Sequence, residues 1–366
     1  MPYSKLDRRR IVMKPLAERP NKKSVERDMV TPDQRPSDLS LKADALIDET
    51  AERIKRALAN EKPVMLAFGA HAIKNGLAPV LIHMAEKGWL THLATNGAGI
   101  IHDWELAYQG QTSEDVRGNV RRGEFGNWQE TGFFINLALI VGAYEGRGYG
   151  ESVGAMIERG GLELPTLEEL KREIATCLDS DGERAAGAID LLVAMKDFDI
   201  PPGRMEIPHP YKQYSVQARA FALGVPFTGH PMIGHDIIYN HPLNHGAAIG
   251  RTALWDFLTF AEGVSRIDGG VYLSVGSAVM SPMIFEKSMS MAQNLAIQRG
   301  EKIDDHYILV VDLAKSHWDW AKGEPPEDNP DYYLRFNKSF HRMGGAMRYL
   351  QADNRDFLLA LTRKLS

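Results

Sequence analysis

Between Pro63 and Asp103 the chain reads PVMLAFGAHAIKNGLAPVLIHMAEKGWLTHLATNGAGIIHD, two apolar runs that each break into glycine and lead toward a helical stretch. The first run, Val64 to Phe68, ends at Gly69, and a helix is expected from Asn75 to Lys87. The second, Trp89 to Thr95, ends in Asn96-Gly97-Ala98-Gly99. Glycine there permits positive φ and lets the backbone approach a ligand closely. The following helix then offers unpaired N–H groups and its positive dipole end, for which a nucleotide phosphate is the usual occupant. His71, Lys74, His102 and Asp103 stand at the lips of the two turns. Turn glycines are also what any α/β protein needs, so the phosphate reading and the purely structural one both stand on this stretch alone.

The same strand, turn, helix pattern returns further along. Strands are expected near Val225 to Thr228, at Val271 to Val275, Tyr307 to Asp312 and Ala346 to Leu350. Helices are expected over Ser40 to Ala59, Ser113 to Val120, Asn127 to Tyr144, Ser152 to Arg159, Thr166 to Leu178 and Asp181 to Met195. Further helices are expected over Ala247 to Val264, Pro282 to Gln298 and Arg355 to Leu365. Alternation of this kind predicts an α/β fold, a Rossmann-like parallel sheet with helices on both faces. In such a sheet ligands bind beyond the carboxyl ends of the strands, where Gly69, Asn96 to Gly99, Thr228 to His230 and Gly276 to Ala278 would gather.

Residues 1–36 hold ten basic and five acidic side chains, a local +5, which leaves −10 on the remainder of a chain whose net charge is −5. We read residues 1–40 as a basic extended arm and 41–366 as a single α/β domain. The arm suits a neighbouring subunit; its mixed charges with few aromatics argue against a nucleic-acid surface. The acidic body favours a cationic substrate. One cysteine, Cys177, excludes an intrachain disulfide or a multi-cysteine metal site. No run approaches the roughly 18 apolar residues of a membrane span, and the N-terminus lacks a signal-peptide core, so a cytoplasmic protein with no membrane partner is expected.

Five of the twelve histidines lie between His209 and His245, beside Asp236. Three readings stay open for them: a metal site, local backbone bonding, or imidazoles lining a substrate pocket, where they would transfer protons. HEXXH is absent, and His241 and His245 are separated by Pro242, which opposes a regular helix. Ser277 lacks the G-x-S-x-G setting of a nucleophile and is read as a phosphate or ribose contact. Trp318 and Trp320 suit either cofactor stacking, an amine pocket, or a subunit contact.

Taken together, GAHAIKNGL, TNGAG, NGAGIIHDWE, TSEDV, GEFG, HPMIGHDII, GAAIG and GSAVMSP resemble the deoxyhypusine synthase family, and more closely a bacterial branch of it, over roughly residues 60 to 300. The resemblance implies a Rossmann-like fold, a homotetramer built as a dimer of dimers, and NAD bound near the dimer interface. It also implies oxidation of a polyamine and transfer of an aminoalkyl group through an imine on an enzyme lysine. Thr95, Asn96, Gly97, Ala98 and Gly99 match the family's Thr-Thr-Ala-Gly-Gly cofactor turn. Gly276 and Ser277 match its Gly-rich turn, Asp353 its adenosine-side aspartate, and Asp236 its acidic residue near the substrate amine.

The chain departs from the family where Pro282-Met283 replaces a His-His pair, where AKSHWDWAKGEPP replaces an acidic loop, and where Trp-Gly-Lys is absent. Lys338, in FNKSFHR, lies near where the nucleophile falls. The expected catalytic set is Lys338, His230, Asp236 and His102. The expected cofactor set is Gly69, Thr95 to Gly99, Asp103, Gly276, Ser277 and Asp353, with no metal. The function expected is an NAD-dependent aminoalkyl transferase or oxidoreductase on a polyamine-like amine. Alternatives are an acid–base or metal-assisted enzyme using the His209 to His245 cluster, or a non-catalytic ligand-binding homologue.

Overall fold

A computed structural model describes residues Tyr3 to Ser366. The chain divides into two compact units. One holds the segment ending at Arg27 with Ile100–Arg219 and Pro231–Asp256; the other holds Asp28–Gly99, Ala220–His230 and Phe257–Ser366.

The second unit is built on six parallel strands: β1 (Val64–Phe68), β2 (His92–Asn96), β3 (Phe227–His230), β4 (Val271–Val275), β5 (Tyr307–Asp312) and β6 (Ala346–Gln351). Their order across the sheet is β6-β5-β4-β1-β2-β3, the doubly wound arrangement whose direction of winding reverses between β1 and β4. Every residue of β1 and of β4 is buried, which is why these strands are continuous apolar runs instead of alternating ones. One face presents Met65, Ala67, Ala94, Tyr272, Ile308 and Val310 to a core shared with Phe260, Phe285 and Met289 from the helices on that side. The opposite face, with Leu66, Leu93, Leu273 and Leu309 at 0–1% exposure, is equally dry. Helices Leu41–Ala59 and Asn354–Leu365 pack together and against the sheet there.

Local signals explain most boundaries. Ser40 caps Leu41–Ala59 by accepting from Ala43 N at 3.2 Å. The helix expected over Asn75 to Lys87 forms as Ala78–Glu86, and a short helix not expected from the sequence, Ala70–Lys74, precedes it. Gly76 separates them at φ +83°, where a Cβ would fall 1.9 Å from the Asp28 carbonyl oxygen.

The first unit is mostly helical. Gln129–Glu145 is buried on nearly every side and packs against Tyr149–Arg159 and Gly182–Asp197. The capping box expected at Thr166 and Glu169 is formed and starts Leu167–Cys177. Two antiparallel ribbons complete the unit, Asn21–Ser24 with Gln111–Glu114 and Gly161–Leu164 with Gly203–Glu206. Neither was expected from the sequence; Gln111–Glu114 takes the start of the helix expected from Ser113, which begins at Val116. Among the described residues no helix is long and apolar enough to cross a membrane.

Candidate functional site

At the carboxyl edge of the sheet the switch point brings Gly69 and Gly276 together. Phe68 is paired with Val275, Gly69 N donates to Val275 O at 3.1 Å, and Gly276 N donates to Val311 O at 2.9 Å. A Cβ on Gly69 would stand 2.1 Å from the Gly276 carbonyl oxygen. The need for glycine at 69 is therefore close backbone approach, since its φ is −79°. Positive φ belongs to Gly276, at +59°, where a Cβ would also meet Asn354 Nδ2 at 2.3 Å. Asn354 opens the last helix, and Asp353 caps it by accepting from Arg355 N at 2.8 Å.

The second turn has no loop at all: β2 ends at Asn96 and Gly97–Gln109 starts at the next residue. Asn96 Oδ1 accepts from Gly99 N at 2.9 Å. Thr95 is fully buried and donates to Phe68 O at 2.9 Å, tying the ends of β1 and β2 together. Gly99 is glycine because a Cβ there would lie 2.2 Å from Thr95 Oγ1. Gly97 and Ala98 supply the N–H groups at the start of this helix. Ser277 is buried and accepts from Ser281 N at 3.2 Å at the start of Met280–Gln298. Thus Gly69, Thr95 to Gly99, Gly276, Ser277 and Asp353 all lie at strand ends on one edge of the sheet, with His230 closing β3 opposite Asn96.

Lys338 lies on Arg335–His341, in the connection from β5 to β6, with Nζ 3.4 Å from the centre of the Tyr332 ring. The tryptophan-bearing loop before it is organised by Asp331, whose Oδ2 accepts from Ser316 Oγ, His317 N and Trp318 N at 3.1, 2.7 and 2.7 Å. Trp320 is 2% exposed and donates to Ser316 Oγ, and Trp318 donates to Gly323 O. Trp320 also enters the core with Phe285, Phe340 and Met347, and Trp318 packs against it.

In the first unit Asp103 is fully buried, accepting from Ser215 Oγ at 2.5 Å and from Val216 N at 2.8 Å, where it caps Val216–Leu223. Burial pushes its carboxyl up to about 6 against these hydrogen bonds. His102 Nδ1 meets Thr112 Oγ1 at 2.7 Å, and Thr112 donates to Glu105 Oε2 at 2.6 Å. Asp236 has a buried Oδ2 with no hydrogen-bond partner, and burial raises its carboxyl to about 7. The hydroxyls of Tyr149 and Tyr239 are likewise buried and unpartnered. Burial raises both phenols first, and the charge of Asp236 raises them further, so the three groups belong to one neighbourhood. Buried polar groups are almost always paired, so three orphans together mark a place where a ligand or water completes the bonding. Asp236 was legible in the sequence; Tyr149 and Tyr239 were not, because both fall between the expected helices and only the folded chain brings them near Asp236. Among the described residues no three His, Cys, Asp or Glu side chains form a group suited to a metal.

No family model matches the chain, and no curated protein matches it. Solved structures to which the chain is similar include ArgZ, an arginine dihydrolase from the ornithine-ammonia cycle in cyanobacteria, at 13% identity and TM-score 0.42. The ternary complex of AgrE with ornithine and NAD+ is similar at 14% identity and TM-score 0.42. A conserved putative LOR/SDH protein from Methanococcus maripaludis S2 is similar at 11% identity and TM-score 0.41. This chain spans 33% of the ArgZ chain, 34% of AgrE and 70% of the LOR/SDH protein, with 89%, 89% and 91% of its own length matched. Likeness at this level assigns no activity.

Proposed function

We propose that this chain is an NAD-dependent enzyme acting on a polyamine-like amine, as an aminoalkyl transferase or an oxidoreductase. The observation that carries the proposal is the contact of Gly69 with Gly276 at the switch point of the sheet, the position where doubly wound sheets take dinucleotides. The residues there fit such a group: two backbone turns approach with no side chain between them, and the N–H groups of Gly97 and Ala98 open a long helix. Gly69, Gly97, Ala98, Gly276 and Ser277 would hold the dinucleotide, with Asp353 toward the adenosine side. When bound, NAD supplies an acceptor for hydride.

The amine reading rests on Asp236 with Tyr149 and Tyr239. A buried carboxylate whose charge reaches two unpartnered phenols suits an ammonium, and an arriving cation favours the ionised form that burial opposes. His102 is oriented by Thr112 and Glu105 in the manner of an imidazole prepared for proton transfer. Lys338 is the lysine through which an imine would be carried in the transferase form. Calorimetric titration with NAD tests the reading first, followed by a panel of polyamines read by NADH absorbance and product mass. Saturable NAD binding with amine-dependent NADH formation is expected; absence of NAD binding overturns the proposal.

A further inference from the structure

A chain of three polar side chains crosses the dry core of the sheet unit. His92 Nε2 lies 3.1 Å from Thr228 Oγ1, and His230 Nε2 lies 2.9 Å from the same oxygen. The exposures of these residues are 3, 1 and 8%. Their meeting follows from register. Ala94 pairs with Thr228 and Asn96 with His230, so positions 92, 94 and 96 of β2 share one face with 228 and 230 of β3. Phe260 seals that face, its ring edge-on to both imidazoles at 5.5 and 5.4 Å.

The two ends of the chain differ. His230 closes β3 at the carboxyl edge, beside Asn96 and the second glycine turn. His92 opens β2 at the amino edge and lines a cavity of about 410 Å³ that Glu61, Glu262 and Arg266, all exposed, rim toward solvent. The separation is about four residues of strand, or roughly 13 Å. Burying two imidazoles and a hydroxyl in a hydrocarbon core is costly unless all are bonded, and an apolar triplet would pack there without that cost.

We infer that His92, Thr228 and His230 form a proton relay between the carboxyl edge of the sheet and the cavity at its amino edge. The inference rests on the proposed function, with the oxidation taking place beside the dinucleotide at the carboxyl edge of the sheet. An ammonium oxidised to an iminium gives up one hydride, with its electron pair, to the oxidised nicotinamide, and one N–H proton to its surroundings. The relay removes that proton without admitting water. His230 takes it on Nδ1 and passes its Nε2 proton to Thr228 Oγ1. Thr228 passes its own proton to His92 Nε2, and His92 releases its Nδ1 proton toward the cavity. No heavy-atom bond changes, and one proton enters for each that leaves. Both imidazoles start neutral: burial first, and then Arg266 for His92 and His92 for His230, lower each to about 3.

The relay demands opposite tautomers, Nδ1–H on His92 and Nε2–H on His230. The competing arrangement has both rings donating from Nε2 while Thr228 donates to the Leu93 carbonyl, which lies at 3.5 Å. Long-range ¹H–¹⁵N correlation spectra of the ¹⁵N-labelled full chain distinguish them. Opposite tautomers are expected; Nε2–H on both rings overturns the relay whether or not turnover is detected. In the amine-dependent reaction, Thr228→Val, which keeps the side-chain shape, is expected to lower kcat about tenfold or more, with KM and NAD affinity within about twofold. Thr228→Ser restores kcat. An unchanged kcat in Thr228→Val overturns the relay. Failure of wild-type protein to bind NAD overturns the proposed function instead and leaves the tautomer result to decide the wiring.

Discussion

Arg19 grips Glu105 through two parallel hydrogen bonds, Nη1 to Oε1 and Nη2 to Oε2, both 2.7 Å, with each side chain 1% exposed. The segment read as a basic arm thus contributes a buried, bidentate ion pair to the first unit. Glu105 also accepts from Thr112 at 2.6 Å and Thr131 at 3.1 Å, so the carboxylate is fully bonded.

Breaking that pair leaves an uncompensated buried charge. Arg19→Ala or Glu105→Gln is expected to destabilise the protein by about 3–5 kcal/mol, read as a fall in the denaturant midpoint. Burial raises the Glu105 carboxyl, but Arg19 outweighs it and the net shift is downward. Its contribution is therefore present above the unfolded value and lost as pH falls through the folded one. A wild-type acid transition shared unchanged by Glu105→Gln would contradict this.

Gly69→Ala places a methyl against the Gly276 carbonyl oxygen. We expect a loss of about 1–3 kcal/mol from overpacking and NAD affinity weakened about tenfold or more, as the two turns are forced apart. Gly250→Ala serves as control: it has open space, lies within the helix Gly246–Ser265, and should be neutral or stabilising by about 0.4–1 kcal/mol. Equal NAD affinity in Gly69→Ala would remove the switch point from the binding site.

Asp236, raised to about 7, makes binding of a cationic amine pH-dependent. Affinity should rise as pH passes upward through about 7 and the carboxylate ionises. For stability the sign is opposite. An acid whose folded pKa is raised binds its proton more tightly in the fold, so stability falls as pH climbs from its unfolded value toward 7. Asp236→Asn should flatten both profiles and raise thermal stability at pH 8 but not at pH 4. A variant profile that tracks wild type would refute the assignment.

Lys338→Ala separates the two forms of the proposed chemistry. In the transferase form, borohydride reduction during turnover should trap an aminoalkyl adduct on wild-type protein and none on the variant, while NAD binding is unchanged. Retention of the adduct in Lys338→Ala would exclude this lysine as the carrier.

Asp331 holds the loop that carries Trp318 and Trp320 through three donors on one oxygen. Asp331→Ala should cost about 1.5–3 kcal/mol and open residues 314–331 to limited proteolysis. Cleavage elsewhere first would show that the loop is held by its indoles alone.

Much of this architecture is local information. The strands Val271–Val275 and Tyr307–Asp312 are legible as apolar runs ended by turn residues, and Thr166 announces its helix through the capping box. The ribbon of Asn21–Ser24 with Gln111–Glu114 was not legible, since NKKS and QTSE are polar and their pairing joins segments far apart in the chain. The need for glycine at 76 was hidden for a similar reason: what forbids a side chain there is the Asp28 carbonyl, remote in sequence.

The site shows the same boundary. Residue order alone determined that apolar strands would give way to glycine at 69, 97 and 276, because turn chemistry and strand burial are properties of neighbouring residues. Only the tertiary structure decided that Gly69 faces Gly276 across the switch point, that Thr228 joins His92 to His230, and that Tyr149 and Tyr239 share the buried neighbourhood of Asp236. Strand order and register are set by which distant faces bury each other, and no local period in the sequence carries that choice.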